Sequence, residues 1–255
     1  MDYVLLLLLL LLLLFIFWIS LAMNSKKFFL VLPGDRGGKM KYSTVIFDFD
    51  YTLADATYGI VSSFNHAFSR LGIPEHDCES IKRTVGLPLD EAFVQLTGHK
   101  DEVLINCFKT LFREKADEIM LKNTRLFEDT ASTLQRLKYN GIYTGIVTTK
   151  YHYRIDETLN LHGISHLVDV IVGGEDVKVP KPSPEGLLLA IGSLNSKMND
   201  VLYIGDSLVD AKTALAANVD FAAVTTGTTN EKEFLQYPCI KVLNNLSELK
   251  ELIKI

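Results

Sequence analysis

From Lys41 to the C-terminus, short apolar runs alternate with longer segments in which apolar residues recur at helical spacing. The apolar runs predict β-strands at 43–48, 142–147, 168–172, 201–204 and 220–224. The longer segments predict helices near 130–139, 153–162, 184–194, 208–217 and 246–253. Strands that alternate with helices are typical of a parallel sheet covered on both faces, so we predict an α/β fold with a three-layer parallel-sheet core.

Nearly a hundred residues between the first two predicted strands contain no convincing strand. Apolar residues recur there at helical spacing, as in Phe64, Ala67, Phe68 and Leu71. Turn signals interrupt the segment at 72–74 and 86–88. We therefore predict a helical insertion over residues 56–124, with the core formed by 40–55 and 125–255. Its phenylalanines are expected to be core residues rather than ligand-binding residues.

The N-terminus carries a separate apolar signal. Val4–Met23 is an uninterrupted apolar run, and twenty helical residues reach about 30 Å, enough to cross a bilayer core. An acid, Asp2, precedes the run and basic residues follow it, which would leave the rest of the chain in the cytoplasm. Two interpretations of residues 1–39 stay open: a membrane anchor, or an over-extended gene start ahead of Met40.

Composition excludes some classes of partner. The chain has 255 residues and a formal net charge of −5, without a basic stripe, so nucleic-acid binding is disfavoured. The three cysteines, Cys78, Cys107 and Cys239, are odd in number and widely spaced, which favours a reducing compartment. We expect them to be small buried hydrophobic residues. The oligomeric state is left open.

Polar residues that could carry chemistry follow the predicted strands. Asp48 and Asp50 stand one residue apart at the end of the first strand, where they would project to the same side. Paired acids at a strand end can hold a divalent cation, or divide the work of nucleophile and general acid. Taken alone the pair is equally compatible with a strand-ending turn, in which aspartate is common.

Three segments further along the chain support a chemical role for this pair over a strand-ending turn. Thr148 and Thr149 end the second strand, where a hydroxyl and free backbone N–H groups suit a phosphate oxygen. Lys181 lies between two prolines, which fix the backbone and hold the ammonium in place. Asp206 and Asp210 follow the fourth strand, after a glycine, where the next helix begins.

In this order, these residues resemble the motifs of the haloacid dehalogenase superfamily, most closely its phosphoglycolate-phosphatase-like branch. The resemblance rests on the sets Asp48-x-Asp50-x-Thr52, Thr148, Lys181 and Gly205-Asp206-Ser207-x-x-Asp210, and runs from about Lys41 to the C-terminus. It implies a Rossmann-like core with an inserted α-helical cap that closes over the active site. Two positions depart from the branch: Tyr51 stands where glycine is usual, and Thr149 where asparagine is frequent.

The resemblance also implies roles. Asp48 would be the nucleophile that forms an aspartyl-phosphate, and Asp50 the acid and base. Mg²⁺ would be held by Asp48, by the backbone carbonyl of Asp50 and by Asp206. Asp210 would support the site from behind, although an acid at a helix N-terminus explains it equally well. The phosphoryl group would be held by Thr52, Thr148, Thr149 and Lys181, with a purely turn-forming hydroxyl as the alternative for Thr52.

Two further basic residues, Lys150 and Arg154, follow the second strand. They could help to neutralise a substrate, but we expect them to face solvent. In the helical insertion, the loop Thr84–Leu87 resembles the loop that approaches the substrate in this branch.

The predicted function is Mg²⁺-dependent hydrolysis of a small phosphomonoester such as phosphoglycolate. Pyrophosphate hydrolysis would use the same residues. A β-phosphoglucomutase-like transfer is the other enzymatic alternative, although Thr148-Thr149-Lys150 does not resemble the second motif of that group. A dehalogenase is disfavoured because its chemistry lacks the acid at position 50 and needs no metal. A non-catalytic binding module is disfavoured because all four motifs carry competent residues.

Overall fold

The computed structural model describes residues 42–254, and its centre is a six-stranded parallel sheet. The strands are β1 (Thr44–Phe47), β4 (Tyr143–Val147), β5 (Val170–Val172), β6 (Val201–Gly205), β7 (Asp220–Val224) and β8 (Lys241–Leu243). They are arranged in the order β5-β4-β1-β6-β7-β8. The five predicted strands are all present, within two residues of their predicted ends. The sequence analysis missed β8, a three-residue edge strand that pairs with β7.

Helices cover both faces of this sheet. They are α5 (Thr130–Tyr139), α6 (His152–Leu161), α7 (Glu185–Ser193), α8 (Leu208–Ala217), α9 (Glu231–Phe234) and α10 (Leu249–Ile253). The helix predicted at 246–253 is divided: residues 246–248 form a 3₁₀ turn before α10. Because side chains alternate along a strand, Val45 and Phe47 pack with α5, α6 and α10, whereas Ile46 packs with α7, α8 and α9. The predicted three-layer α/β architecture is confirmed.

Residues 56–124, called here the helical segment, lie between two short strands that the sequence did not predict. β2 (Ala54–Asp55) and β3 (Arg125–Leu126) pair antiparallel where the chain leaves and re-enters the core. Four helices lie between them: α1 (Thr57–Arg70), α2 (Cys78–Lys82), α3 (Leu89–Thr97) and α4 (Glu102–Ile119).

The helical segment has its own hydrophobic core, built around five phenylalanine rings. They are Phe64, Phe68, Phe93, Phe108 and Phe112. The ring of Phe108 contacts the four others, with centroid separations of 4.8 to 6.1 Å. Tilted and offset rings at such distances attract one another as well as excluding water. The expectation that these phenylalanines are core residues is confirmed, since each is at most 5% exposed.

Two expectations concern other parts of the chain. The apolar run Val4–Met23 and the alternatives for residues 1–39 lie outside the described residues. Across residues 42–254, no helix combines the length and the apolar character needed to cross a membrane. The expectation that the cysteines are buried is wrong for Cys78 and Cys107, which are exposed on the helical segment, and Cys239 is half-buried. Small size made burial the default assumption, but both lie outside the phenylalanine cluster.

Phe108 provides a test of this second core. Phe108→Ala is expected to lower the free energy of unfolding by about 3–5 kcal/mol, because it removes a fully buried ring and leaves a cavity. Val103→Ala on the same helix is the control. Val103 is 72% exposed, so a change within about 0.5 kcal/mol is expected. Urea denaturation of the two variants measures both values, and equal losses would contradict the assignment.

Candidate active site

The sheet brings the predicted site residues to one edge. β1 lies between β4 and β6, and all three strands are parallel. Asp48, Thr148 and Asp206 each follow the last residue of one of these strands. Parallel strands end on the same side of a sheet, so three residues that are far apart in sequence become neighbours.

Three carboxylates meet at this edge in a buried cluster. Oxygens of Asp48, Asp206 and Asp210 lie within 4.8 Å of one another, and each side chain is at most 5% exposed. Burial raises the pKa of Asp48 to about 6, and the nearby charge of Asp210 also raises it, against the opposing effect of Lys181. Burial raises the pKa of Asp206 well above its ordinary value, together with the charges of Asp210 and Asp48.

One ammonium group neutralises part of this charge. The Nζ atom of Lys181 lies 2.7 Å from Oδ1 of Asp210 and 2.9 Å from Oδ1 of Asp48. The contact with Asp210 is a hydrogen bond, whereas that with Asp48 has the distance of an ion pair but not hydrogen-bond geometry. Lys181 is itself only 4% exposed. Although burial opposes it, the two carboxylates raise the pKa of this lysine, so it stays charged.

Asp210 is fully occupied by protein donors. Its Oδ1 accepts hydrogen bonds from Lys181 and from the Tyr203 hydroxyl, at 2.7 and 2.9 Å. Its Oδ2 accepts from the backbone and side chain of Ser207, which caps α8. A Cβ on Gly205 would lie 2.3 Å from the carboxyl carbon of Asp210, so only glycine fits there. This carboxylate therefore holds Lys181 and the start of α8 in place.

Asp206 is supported from two sides. The Thr52 hydroxyl donates a 3.0 Å hydrogen bond to Oδ1 of Asp206. On the other side the backbone of Gly227 approaches so closely that a Cβ there would lie 2.0 Å from Oδ2. Thr52 is completely buried and does not line the cleft, so the structure places it beside a carboxylate rather than facing a ligand.

Asp50 has a separate partner. Both of its carboxylate oxygens accept hydrogen bonds from the Nζ atom of Lys150, at 2.8 and 3.0 Å. Lys150 is 9% exposed and Arg154 is 7% exposed. The expectation that these two basic residues face solvent is wrong, because Lys150 pairs with Asp50 and Arg154 pairs with Asp117 of the helical segment. Asp50 is not a member of the carboxylate cluster, although it lines the same cleft as Asp48.

The site opens into a cleft between the sheet edge and the helical segment, which encloses about 680 Å³ of space, its open mouth included. From the core it is lined by Asp48, Asp50, Thr148, Thr149, Lys150, Tyr151 and Arg154. From the helical segment the loop Thr84–Leu87 lines it, together with apolar side chains and Arg113. Gly86 has φ of +97°, and a Cβ there would lie 3.4 Å from Oγ of Ser207, so this loop reaches the core.

Tyr51, the departure from the family motif, adopts a backbone conformation that favours glycine. Its φ is +60°, and its side chain is 3% exposed. Such a conformation costs a bulky residue of order 1–3 kcal/mol unless its surroundings hold it. The Tyr51 carbonyl accepts a hydrogen bond from Thr226, and its hydroxyl accepts one of 3.1 Å from Thr57 at the start of α1. The ring therefore links the loop after β1 to the helical segment.

The sequence did not indicate four residues that line the cleft or contact the carboxylate cluster. Lys150 and Arg113 belong to it through tertiary contacts, and a lysine or arginine in a loop or helix carries no local sign of burial. Tyr203 lies within the apolar run of β6, where its hydroxyl gave only a weak indication of a polar contact. Gly227 lies in a polar loop after β7 among four threonine residues, and nothing there indicates contact with Asp206.

The residues present fit a divalent cation. If ionised, Asp48, Asp206 and Asp210 would carry three negative charges in a buried volume, and Lys181 supplies one positive charge. Oδ1 of Asp48 has no hydrogen-bond donor among residues 42–254. Carboxylate oxygens that lack donors and carry excess charge suit a hard cation such as Mg²⁺, which prefers oxygen ligands. The Asp48 and Asp206 carboxylates are the available ligands.

Burial of Asp48 predicts a pH dependence of stability. With a pKa of about 6, Asp48 binds its proton more tightly in the folded protein than in the unfolded chain. The free energy of unfolding that this proton contributes therefore falls as the pH rises from about 4 to about 6. The shift corresponds to on the order of 3 kcal/mol. Asp48→Asn cannot titrate, so in chelator its stability relative to wild type should rise by that order between pH 4 and pH 7. Denaturation at several pH values measures the difference, and a constant difference would contradict it.

Comparisons with known proteins agree with this geometry. The family of haloacid dehalogenase-like hydrolases matches residues 45–224. A pyrophosphatase, PpaX, from Bacillus mycoides is 30% identical over 210 residues, which cover 82% of this chain and 96% of that protein.

Two solved structures are also similar. A haloacid dehalogenase-like hydrolase from Bacteroides fragilis is 47% identical with a TM-score of 0.80, covering 82% of this chain and all of that one. A predicted phosphatase from Clostridium acetobutylicum is 26% identical with a TM-score of 0.78, covering 84% and 99%. The prediction of a hydrolase is confirmed, and the chain belongs to the haloacid dehalogenase-like hydrolase family.

Proposed function

We propose that this protein is a Mg²⁺-dependent phosphatase that hydrolyses a small phosphomonoester through an aspartyl-phosphate. The observation that carries the proposal is the buried cluster of Asp48, Asp206 and Asp210 around Lys181, of which Asp48 lines a cleft that Asp50 also lines. Membership of the hydrolase family supports it, as does similarity to a predicted phosphatase.

The reaction would proceed in two displacements at phosphorus. A carboxylate oxygen of Asp48 attacks, the bond from phosphorus to the leaving oxygen breaks, and Asp50 gives that oxygen a proton. Asp50 then removes a proton from a water molecule, whose oxygen attacks phosphorus. The bond to Asp48 breaks, which releases phosphate and restores both carboxyl groups.

Other residues would hold the transferring group. Thr148 and Thr149 line the cleft beside Asp48 and Asp50, where hydroxyl and backbone donors reach phosphoryl oxygens. Lys181, which contacts Asp48, would offset the negative charge of the phosphoryl group from the buried side of Asp48. Mg²⁺ would be held by the Asp48 and Asp206 carboxylates and the Asp50 backbone carbonyl, and when bound it supplies positive charge that offsets repulsion between substrate and carboxylates. Asp210 and Thr52 would position Lys181 and Asp206.

We propose that the helical segment, residues 56–124, acts as a cap on a core formed by 40–55 and 125–255. The approach of Gly86 to Ser207 supports this, because the loop then closes one side of the cleft. A cap excludes water from a site where electrostatic interactions must be strong. We also place the catalytic residues in the cytoplasm, with support from the three free cysteines.

Pyrophosphate hydrolysis is the second candidate. The 30% identity to a pyrophosphatase favours it. Both reactions break a bond from phosphorus to oxygen with the same residues, and the leaving group alone distinguishes them. A substrate panel that includes pyrophosphate therefore belongs in the test.

The central prediction is Mg²⁺-dependent release of phosphate. Purified protein should hydrolyse at least one small phosphomonoester with Mg²⁺ and lose this activity in chelator. Asp48→Asn should lower kcat by at least 10⁴-fold, because the nucleophile is removed while the shape of the side chain is kept. Phosphate release measures both.

Folding and nucleophile identity need separate controls. Circular dichroism should give the same spectrum for Asp48→Asn as for the wild type. Wild-type protein incubated with substrate and quenched in acid should carry one phosphate on Asp48, located by mass spectrometry after peptide digestion. Metal-independent turnover, or undiminished activity of Asp48→Asn, would overturn the proposal.

Lys150 is expected to position Asp50. Lys150→Met should lower kcat on the order of 10–100-fold, because Asp50 loses the donor that orients it. The loss should be larger for an alkyl phosphate, whose leaving oxygen needs a proton, than for 4-nitrophenyl phosphate, whose leaving group departs without one.

Lys178→Met is the matched control, since Lys178 is exposed and does not line the cleft. It should retain wild-type kcat on both substrates. Equal losses of Lys150→Met on the two substrates would show that Lys150 has no part in orienting the acid.

A further inference from the structure

We infer that the cleft selects a phosphomonoester whose leaving group has an apolar body and a second anionic group, and that Arg113 binds this second anion. The inference rests on the proposed phosphatase function, because it assigns the part of the substrate that lies away from the transferring phosphoryl group. It adds Arg113 and the apolar wall of the cleft to the residues that determine specificity.

Arg113 is the first observation. It projects from α4 of the helical segment and lines the cleft that Asp48 and Asp50 also line. Its guanidinium lies over the ring of Tyr151, 5.0 Å from the ring centre, in a cation–π contact. Its Nε atom is buried and has no hydrogen-bond partner among residues 42–254. A buried, unsatisfied donor is costly, and a bound acceptor would satisfy it.

The other cations of the cleft already have partners, which distinguishes Arg113 from them. Lys150 is paired with Asp50. Arg154 donates a 2.6 Å hydrogen bond to Asp117 and one of 3.0 Å to the Tyr153 hydroxyl. Arg113 has no carboxylate within ion-pair distance in the described part of the chain.

Asp117 is an acid close enough to be influenced by the charge of Arg113, and it could have paired with this guanidinium. Burial opposes its ionisation, but hydrogen bonds from Tyr153 and Arg154 keep its pKa below the ordinary value. Arg113 also lowers the pKa of Asp117 by its charge, from beyond ion-pair distance. Because Tyr153 and Arg154 occupy Asp117, the guanidinium of Arg113 is available to a ligand. A planar guanidinium suits a carboxylate or phosphate, either of which can accept two hydrogen bonds.

The apolar wall is the second observation. Eight apolar side chains of the helical segment line the cleft: Ile60, Phe64, Val85, Leu87, Leu89, Ala92, Phe112 and Met120. Pyrophosphate has no apolar surface to bury against them, and phosphoglycolate has a single methylene. Removal of apolar surface from water favours binding in proportion to the area buried.

Together the two observations define a substrate class. The phosphoryl group lies at the sheet edge, an aromatic or branched aliphatic body contacts the apolar wall, and a carboxylate or second phosphate reaches Arg113. This differs from the activity in the name of the Bacillus mycoides relative, because a wall of eight apolar side chains contributes nothing to the binding of pyrophosphate.

Matched substrates test the class. Phenyl phosphate and its 3- and 4-carboxy derivatives differ only in the second anion, and pyrophosphate lacks the apolar body. We expect at least one carboxyphenyl phosphate to exceed phenyl phosphate in kcat/KM by tenfold or more. That carboxyphenyl phosphate and phenyl phosphate should both have a higher kcat/KM than pyrophosphate. If pyrophosphate is preferred to all three aromatic esters, the inference about the apolar wall is overturned.

Arg113→Met tests the residue. The ratio of kcat/KM between the carboxylated ester and phenyl phosphate should fall at least tenfold, mainly through KM. Comparing this ratio between enzymes cancels the intrinsic reactivity of the two esters. Lys115→Met is the matched control, because Lys115 lies on the same helix and pairs with Glu118 outside the cleft. It should keep the wild-type ratio, and an unchanged ratio in Arg113→Met would overturn the role of Arg113.

A binding measurement without turnover separates anion binding by Arg113 from the proposed phosphatase activity. In the Asp48→Asn background, calorimetry should give a Kd for the carboxylated ester at least tenfold higher when Arg113→Met is added. If the wild-type protein hydrolyses no phosphomonoester but this difference is present, the phosphatase proposal fails and the anion site stands. If Arg113→Met does not fold, Arg113→Lys is used, for which a smaller loss in the same direction is expected. No loss in either variant would contradict the inference.

Discussion

The buried carboxylates of Asp48, Asp206 and Asp210 impose the constraint on which the rest of the site depends. If ionised, three carboxylates in a volume of low polarity repel one another and are poorly solvated, so they require compensation. Lys181 supplies one positive charge, and the donors of Ser207, Thr52 and Tyr203 satisfy oxygens that would otherwise lack partners. If all three are ionised, negative charge remains that a divalent cation could balance, which supports the proposed metal site.

The surrounding backbone is adapted to this arrangement. Gly205 and Gly227 approach the carboxylates so closely that no side chain fits. Tyr51 keeps a backbone conformation typical of glycine because Thr226 and Thr57 hold it. The tyrosine thereby contributes a buried ring between the loop after β1 and the helical segment, a contact that glycine cannot make.

Cations divide the cleft into regions with different partners. Lys181 lies with the carboxylate cluster, Lys150 holds Asp50, and Arg154 joins α6 to Asp117 of the helical segment. Each is matched by protein acids. Arg113 has no such match among the described residues, and this difference in pairing, rather than the number of cations, identifies where a second charge of the substrate would bind.

The sequence by itself determined the strand and helix pattern, because side-chain periodicity is a local property. It also predicted Asp48, Thr148 and Asp206 as site residues from their positions at strand ends, and Lys181 from its flanking prolines, since such features are visible within a few residues. It did not identify β8, β2 or β3, which are too short to give a periodic signal and depend on pairing with distant strands. Only the tertiary structure decided that Lys150 is buried against Asp50 and that Arg113 enters the cleft. Burial and pairing depend on which distant segments meet, and the residues nearby in sequence do not encode this.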